Sequence, residues 1–156
     1  MSVIADERSG IMTAINTATS LTSVPWDGDP LAFNLSPPAV AVQWMSGIDA
    51  PTEEHNSGGA YLQNEHFLVL ISTGDTTREV DGEDVPLYAA DKAFDLMEDI
   101  SGALNELSVT INSVANAGVC RPYRNPQFGG NTKECLPGHA GQALYLMAFR
   151  VERMVE

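Results

Sequence analysis

The chain ends with QALYLMAFRVERMVE, residues 142–156, and this stretch decides the fold. Every second side chain in it belongs to one apolar row, namely Tyr145, Met147, Phe149 and Val151. A period of two is typical of a β-strand, because successive side chains of a strand point to opposite faces of the sheet. We therefore predict a C-terminal strand whose apolar row completes the layer between a sheet and a covering helix.

Several upstream stretches share this strand pattern. In PAVAVQWMSG, residues 38–47, the side chains of Val40, Val42 and Trp44 fall on one side. In YLQNEHFLVLIST, residues 61–73, the centre is apolar on both faces, which is typical of a strand inside a sheet. The stretches SVTINSV and AGVCRPY predict shorter strands between residues 108 and 123.

Two segments show apolar residues at helical spacing. Ile4, Ile11 and Ile15 predict a first helix over residues 3–18, with Ser2 as its N-cap. A broader stripe predicts the principal helix over residues 84–107, capped by Asp84 and with Pro86 near its first turn. The stripe consists of Ala89, Ala93, Leu96, Met97, Ile100, Leu104 and Leu107.

The order of these elements predicts one α+β domain over residues 1–156. We expect a small, mainly antiparallel sheet with two helices packed on one face, long loops and a C-terminal strand. The polar stretches 48–59 and 74–84 are predicted to be exposed loops. The Gly- and Pro-rich segment 121–141 is predicted to be an extended loop or a hairpin arm.

The charge of the chain is strongly acidic, with 8 Lys and Arg against 21 Asp and Glu and a net charge of −13. This balance argues against specific nucleic-acid binding and against docking on an anionic membrane. It is also uneven: residues 1–117 hold 3 basic and 18 acidic side chains, and residues 118–156 hold 5 and 3. Regions of opposite sign fit either ordinary solvated surface or a contact between subunits.

Neither end of the chain carries a membrane signal. The N-terminal MSVIADERSG lacks the basic-then-apolar pattern of a secretory signal. The longest uncharged apolar run, residues 143–149, is too short to span a bilayer. We therefore expect a protein that is made in the cytoplasm and has no membrane partner.

Motifs that carry chemistry are absent from the sequence. It has no motif for nucleotide binding, acyl transfer or zinc-dependent proteolysis. The histidines His55, His66 and His139 are far apart and accompany no nucleophile. The acidic run at 81–84 lacks the ligand register of a calcium-binding loop. We expect no catalytic centre, no metal site and no cofactor.

The two cysteines, Cys120 and Cys135, do not have the paired spacing of a structural zinc site. In a reducing cytosol two free thiols are the default. A disulfide that closes the intervening loop is the alternative, and it is favoured if the mature protein leaves the cell.

The order and periodicity of five segments resemble the tail terminator (tail completion) proteins of tailed bacteriophages. The segments are IMTAINTA, PAVAVQW, HFLVLIST, DKAFDLMEDISGAL and LYLMAFRVERMV. The resemblance implies a structural virion protein of the phage neck, made in the host cytoplasm. It also implies a ring, commonly a hexamer, that caps the tail tube and joins it to the head-side connector. Its partners would be copies of itself, the tail tube protein and the connector protein.

The uneven charge fits such a ring. DNA passes more freely through an acidic channel, because the channel offers no counter-charge to its phosphates. We predict that a basic group of one subunit meets an acidic group of the next. The basic group is Arg121, Arg124 and Lys133, and the acidic group is Asp81, Glu83 and Asp84. A disulfide at Cys120 and Cys135, within or between subunits, could form once the virion meets oxidising surroundings.

Three alternatives to the tail terminator remain open from the sequence. The first is another head–tail connector component, a stopper or an adaptor. The second is a small ligand-binding or accessory domain of a bacterial host. The third is an enzyme with an unrecognised site, which would bring polar residues together in a pocket with perturbed pKa values.

Overall fold

The computed structural model describes residues 2–30, 33, 36–45, 53–55, 61–124, 131–136 and 141–155 of the 156-residue chain. Within these residues the helices are α1 (Val3–Thr19) and α2 (Ala89–Leu104). The strands are β1 (Val24–Pro25), β2 (Ala39–Trp44), β3 (Glu53–His55), β4 (Tyr61–Gly74), β5 (Thr76–Val80), β6 (Glu83–Leu87), β7 (Leu107–Ile111), β8 (Val114–Pro122), β9 (Lys133–Leu136) and β10 (Gln142–Val155). The predicted α+β class is confirmed.

The main sheet is built around β4 and β10. Its strand order is β1-β2-β4-β10-β8-β7, with β3 paired to β4 and β9 paired to β10. All of these pairs are antiparallel except β1 with β2. β10 pairs with β4 over its full length, and its other edge pairs with β9 and then with β8. The C-terminal strand is confirmed, and it lies at the centre of the sheet rather than closing an edge.

Both helices lie on one face of this sheet, as predicted, and enclose an apolar core. The helices contribute Ile11, Ile15, Ala93, Met97, Ile100 and Leu104. The sheet contributes Val40, Val42, Phe67, Val69, Ile71, Val109, Ile111, Cys120, Met147, Phe149 and Val151. The apolar row of β10 thus packs beneath α2, where burial of each large side chain stabilises the fold by about 1.5–3 kcal/mol.

The opposite face of the sheet is also apolar at its centre. Its buried side chains include Ala41, Leu68, Leu70, Leu144, Leu146 and Ala148. Phe33 and Trp26 of the irregular connection after α1 pack on this face. The backbone N–H of Trp26 donates to the carbonyl of Val42 at 3.0 Å, which continues the pairing of β1 with β2. The rings of Trp26 and Phe33 meet edge to face, with centroids 5.2 Å apart. Because β4 and β10 are covered on both faces, their sequences are apolar at successive positions.

α1 begins where the sequence predicts. The Ser2 hydroxyl accepts a hydrogen bond from the backbone N–H of Ala5 at 3.3 Å, which satisfies one free donor of the first turn. α1 also lies over β7. A Cβ added at Gly10 would be 3.1 Å from Val109 Cγ1, so the missing side chain permits this close approach.

α2 begins later than predicted. Its first residue is Ala89 and its N-cap is Tyr88, whose side chain makes no capping bond. The cap comes from Asp75, whose Oδ1 accepts from the backbone N–H of Ala89 at 2.7 Å. The predicted cap Asp84 and the predicted first-turn residue Pro86 belong to strand β6 instead. Leu107, placed in the helix by the sequence pattern, lies in β7 because the helix ends at Leu104.

The segment 121–141 is neither wholly loop nor a hairpin of its own. β8 continues through Pro122, and β9 adds four residues to the edge of β10. The remainder of that prediction, residues 125–130 and 137–140, lies outside the described residues. Most of the predicted loop 48–59 also lies outside them.

Candidate functional site

The predicted loop 74–84 is in fact the start of a β-hairpin, and we call β5 and β6 together the arm. Thr76 pairs with Leu87 at its base and Val80 with Glu83 at its end. The arm forms a two-stranded sheet separate from the main sheet. All five residues of β5 are exposed, and in β6 only the side chains of Val85 and Leu87 are half-buried.

The turn of the arm explains why the sequence folds this way locally. Asp81 and Gly82 both have positive φ, 52° and 81°, as a two-residue type I′ turn requires. Asp and Gly tolerate this backbone, and it matches the right-handed twist of the flanking strands. The Asp-Gly pair was therefore the signal that could have identified the hairpin.

The three acidic residues predicted at a subunit contact come together at the tip of this arm. Asp81 lies in the turn, and Glu83 and Asp84 begin β6. All three side chains are exposed. The tip is therefore a concentrated negative charge at the end of a projecting element.

The three predicted basic residues lie near the end of β8, in two different environments. Arg121 bonds to Glu106, and its Nε lies 3.2 Å from Glu152 Oε2. Arg124 and Lys133 are exposed and form no ion pair with any residue that the structure describes. Arg121 is thus held within its own chain, whereas Arg124 and Lys133 remain available to a partner.

The two cysteines are free thiols in different environments. Cys120 pairs with Val151 and Cys135 with Tyr145, so they lie six residues apart along the same edge of β10. That separation is about 20 Å at the usual rise of a strand, whereas a disulfide joins Cα atoms at most about 7 Å apart. This separation does not allow the alternative of a disulfide between Cys120 and Cys135 of one chain. Burial also raises the pKa of the Cys120 thiol to about 12, which makes it unreactive.

A groove runs between α1 and β7. Its volume is about 590 Å³. Its lining from the two helices is Asp6, Ser9, Gly10, Thr13, Ala14, Thr17, Ala18 and Ala103. Its lining from β7 is the consecutive residues 107–110. Because consecutive residues of a strand point to opposite faces, a cavity that touches all four follows the edge of β7.

A buried cluster of ionisable side chains lies at one end of the helix-covered core. Glu7 of α1 is fully buried, and its Oε1 lies 3.5 Å from Arg153 Nε of β10. Glu65 of β4 accepts from Trp44 Nε1 at 2.9 Å. Burial, and then the charge of Glu65, raise the pKa of Glu7 to about 8 although Arg153 opposes them. Sequence reasoning missed this cluster, because its members come from four separate elements.

The opposite face of the same sheet end carries a second polar group. The rings of His66 and Tyr123 stack with centroids 4.1 Å apart. Burial, and then the Arg150 guanidinium, lower the pKa of His66, so the ring is neutral near pH 7. Among the described residues, neither ring nitrogen of His66 has a hydrogen-bond partner. The side chain of His66 is 1% exposed, so its ring is packed among its neighbours.

The described residues contain no group of three or more His, Cys, Asp or Glu side chains that could hold a metal ion. The side chains of His55 and His139 lie outside the described residues. No helix among the described residues is long and apolar enough to cross a membrane.

Comparison of the sequence with known proteins gave no match to any family model and no significant match to a curated protein. The likeness to tail terminators therefore rests on the order and periodicity of the elements. The arm, the exposed basic pair and the groove are the features from which a function can be argued.

Proposed function

We propose that this chain is a structural component of the neck of a tailed phage, with the tail terminator favoured. Copies of the chain form a ring that caps the tail tube and joins it to the head-side connector. The observation that carries the proposal is the arm, which projects an exposed strand pair and a charged tip away from the core.

The arm is poorly explained as part of a monomer. A lone two-stranded hairpin is at best marginally stable in water, because it buries too little apolar surface to offset the entropy of ordering it. The described body gives it little help, since β5 is exposed throughout. A neighbouring subunit would supply the missing contacts.

The charges of the arm and the body support head-to-tail contact. The acidic tip fits the exposed cations Arg124 and Lys133 of a second copy, and attraction between close opposite charges orients the approach. Two different surfaces that bind each other give a heterologous interface, which closes into a ring when the rotation allows. The net charge of −13 would keep such a ring from binding the DNA that passes through it.

The same observations fit a stopper or an adaptor of the neck, and the partner protein would separate these roles. They fit a ligand-binding accessory domain or an enzyme less well. The groove beside β7 is open and lined largely by small side chains, with Asp6 as its charged lining residue. A ligand site normally brings several polar groups together in a concave pocket.

Electron microscopy and light scattering of the purified protein test the proposal. We expect ring-shaped particles in the wild type. The double change Glu83→Lys with Asp84→Lys should weaken assembly at least tenfold in concentration, because it turns two attractions into repulsions. The matched control is Asp95→Lys with Glu98→Lys, an equal change of charge at exposed positions of α2.

A charge swap makes the test specific. Arg124→Glu with Lys133→Glu should weaken assembly alone and restore it when mixed with the tip variant. Arg121 is left unchanged, because reversing it would break its bonds to Glu106 and Glu152 within the chain. A wild type that stays monomeric at high concentration, alone and with isolated tail tubes, would contradict the ring.

A further inference from the structure

The geometry points to a specific mode of docking, which rests on the ring proposed above. We propose that β5 of one subunit adds as a strand to the free edge of β7 in the next subunit. The added strand would lie in the groove beneath α1 and extend the main sheet across the subunit boundary. Strand addition of this kind takes its affinity from backbone hydrogen bonds and its specificity from the side chains that enter the groove.

The outer edge of β5 has all of its backbone hydrogen-bonding groups, whereas the outer edge of β6 lacks one donor. In a hairpin with a two-residue turn the flanking pair, Val80 with Glu83, is hydrogen-bonded, and bonded pairs alternate with non-bonded ones. The backbone groups of Thr77, Glu79, Asp84 and Pro86 therefore point outward. Pro86 has no N–H to offer, which is a device that blocks pairing at an edge. β5 retains every outward donor and acceptor, so β5 is the edge that can accept a partner.

β7 presents a matching edge on the body. It is the last strand of the main sheet and pairs with β8 on one side. Among the described residues no backbone bond occupies its other side, apart from the Asn112 N–H that donates to Asp6 Oδ2 just beyond the strand. The groove runs along this free side. An unpaired edge beside a groove is where an extended segment can add.

The two edges agree in length and in side chains. β5 and β7 are both five residues long. On one face of β5 lie Thr76, Arg78 and Val80, since alternate residues share a face. With this face toward α1, Arg78 would approach Asp6, and Val80, which is 40% exposed in the free chain, would become covered.

The direction of the added strand follows from the charges. Leu107, the first residue of β7, pairs with Cys120, so the start of β7 lies beside the end of β8 and near Arg124. If β5 runs antiparallel to β7, its tip points toward this end. The acidic tip would then reach the exposed Arg124 and Lys133 of the same neighbour. One docking mode therefore satisfies the backbone edge and the charge pairing together.

The arm cannot reach the groove of its own chain. The arm precedes the first residue of α2, whereas β7 follows its last. The sixteen residues of α2 separate the two surfaces by about 24 Å, and the arm is only about 17 Å long. Surfaces at opposite ends of a helix bind head to tail, which is the interface a ring requires.

Disulfide trapping tests this docking mode. We would introduce Glu79→Cys with Ser108→Cys, and separately Glu79→Cys with Thr110→Cys. These pairs cover two registers of β5 on β7 in which the face of β5 that carries Arg78 points toward α1. Both pairs are made in a Cys135→Ser background, because Cys135 is the exposed native thiol. The matched control is Glu79→Cys with Glu98→Cys, which places the second thiol on exposed α2. Thermal unfolding of the reduced variants checks that each remains folded.

We expect at least one of the β7 pairs to give a reducible ladder on a non-reducing gel, at least tenfold more intense than the control. Rings in the microscope without this ladder would overturn the strand addition and leave the ring in place. A ladder without rings would support the strand addition and contradict the ring. The absence of both would overturn both proposals.

Discussion

Glu7 shows how a single buried residue ties stability to pH. Its carboxyl group is fully buried between α1 and the sheet, where Glu65 and Arg153 act on it with opposite sign. Its pKa in the folded chain is about 8, against 4.5 for an exposed group. Between these values the unfolded chain releases a proton that the folded chain retains, so stability falls as the pH rises and the loss is complete above about pH 8.

The change Glu7→Gln should remove this dependence. At pH 4.5 the variant and the wild type should differ by less than about 0.5 kcal/mol, because the carboxyl is neutral in the folded chain and only half ionised in the unfolded one. At pH 8.5 the variant should be more stable, by up to about 5 kcal/mol, since one pKa unit corresponds to about 1.4 kcal/mol. Urea unfolding at pH 4.5, 6.5 and 8.5 measures the difference. The exposed Glu98→Gln serves as the control, and a constant difference across this range would contradict the prediction.

Two glycines allow a matched test of packing at a single position. A Cβ at Gly118 would lie 2.9 Å from Val151 Cγ1 and 3.3 Å from Ile111 Cδ1. A Cβ at Gly102, in the exposed face of α2, would meet nothing within 4 Å. The first site is filled by neighbouring side chains and the second is open.

We predict opposite effects of alanine at these two sites. Gly118→Ala should lower the free energy of unfolding by about 1–3 kcal/mol, because Val151 and Ile111 must shift within a packed core. Gly102→Ala should raise it by about 0.5–1 kcal/mol, because alanine favours the helix. Urea unfolding midpoints of the two variants measure these changes in stability. A Gly118→Ala variant that is more stable than the wild type would show that the core rearranges more easily than these distances imply.

Among the elements, the arm is the one whose stability should be separable from that of the body. Gly82 has a φ of 81°, and a side chain there would meet nothing within 4 Å. A change to valine would therefore act through backbone strain alone, and a β-branched residue at positive φ is strongly disfavoured.

We predict that Gly82→Val impairs assembly without lowering the melting temperature of the monomer by more than about 2 °C. The turn would be strained by about 1–3 kcal/mol, and the arm contributes little to the core that sets the melting temperature. Calorimetry and light scattering measure the two quantities on one sample. A large drop in melting temperature would mean that the arm is part of the cooperative core.

The elements also show what the sequence can predict and what it cannot. β4 was predictable because its centre is apolar on both faces, which occurs where both faces are covered, and β10 because its apolar row has a period of two. The arm was missed because it is polar on both faces, so that the Asp81–Gly82 pair was its main signal. The start of α2 was misplaced because Asp84 and Pro86 suit a helix start, whereas the cap is Asp75, fourteen residues before Ala89.

Some residues of the candidate site could likewise be predicted from the sequence, and others could not. The acidic residues at the tip could be selected from local charge, since Asp81, Glu83 and Asp84 adjoin in sequence. The ion pairs of Arg121 could not be predicted in this way, because the pairing of β7, β8 and β10 brings Glu106 and Glu152 to it. The separation of the two cysteines likewise depends on the register of β8 and β9 along β10.

At the scale of the whole molecule, two electrostatic effects act on assembly in opposite directions. Each subunit carries a net charge of −13, so like subunits repel one another over long distances. The proposed contact of the acidic tip with Arg124 and Lys133 attracts over a few ångströms. Salt weakens both effects, but it weakens interactions between distant charges first.

Assembly should therefore depend on salt with a maximum. From about 0.01 to 0.15 M salt the Debye length falls from about 30 to 8 Å, which removes the long-range repulsion and should strengthen the ring. Toward 1 M the length falls to about 3 Å, which also screens the charge pairs and should weaken the ring again. Light scattering across this range measures the effect. The Arg124→Glu with Lys133→Glu variant has lost the attraction, so its assembly should rise steadily with salt, and a maximum retained in that variant would show that other contacts hold the subunits together.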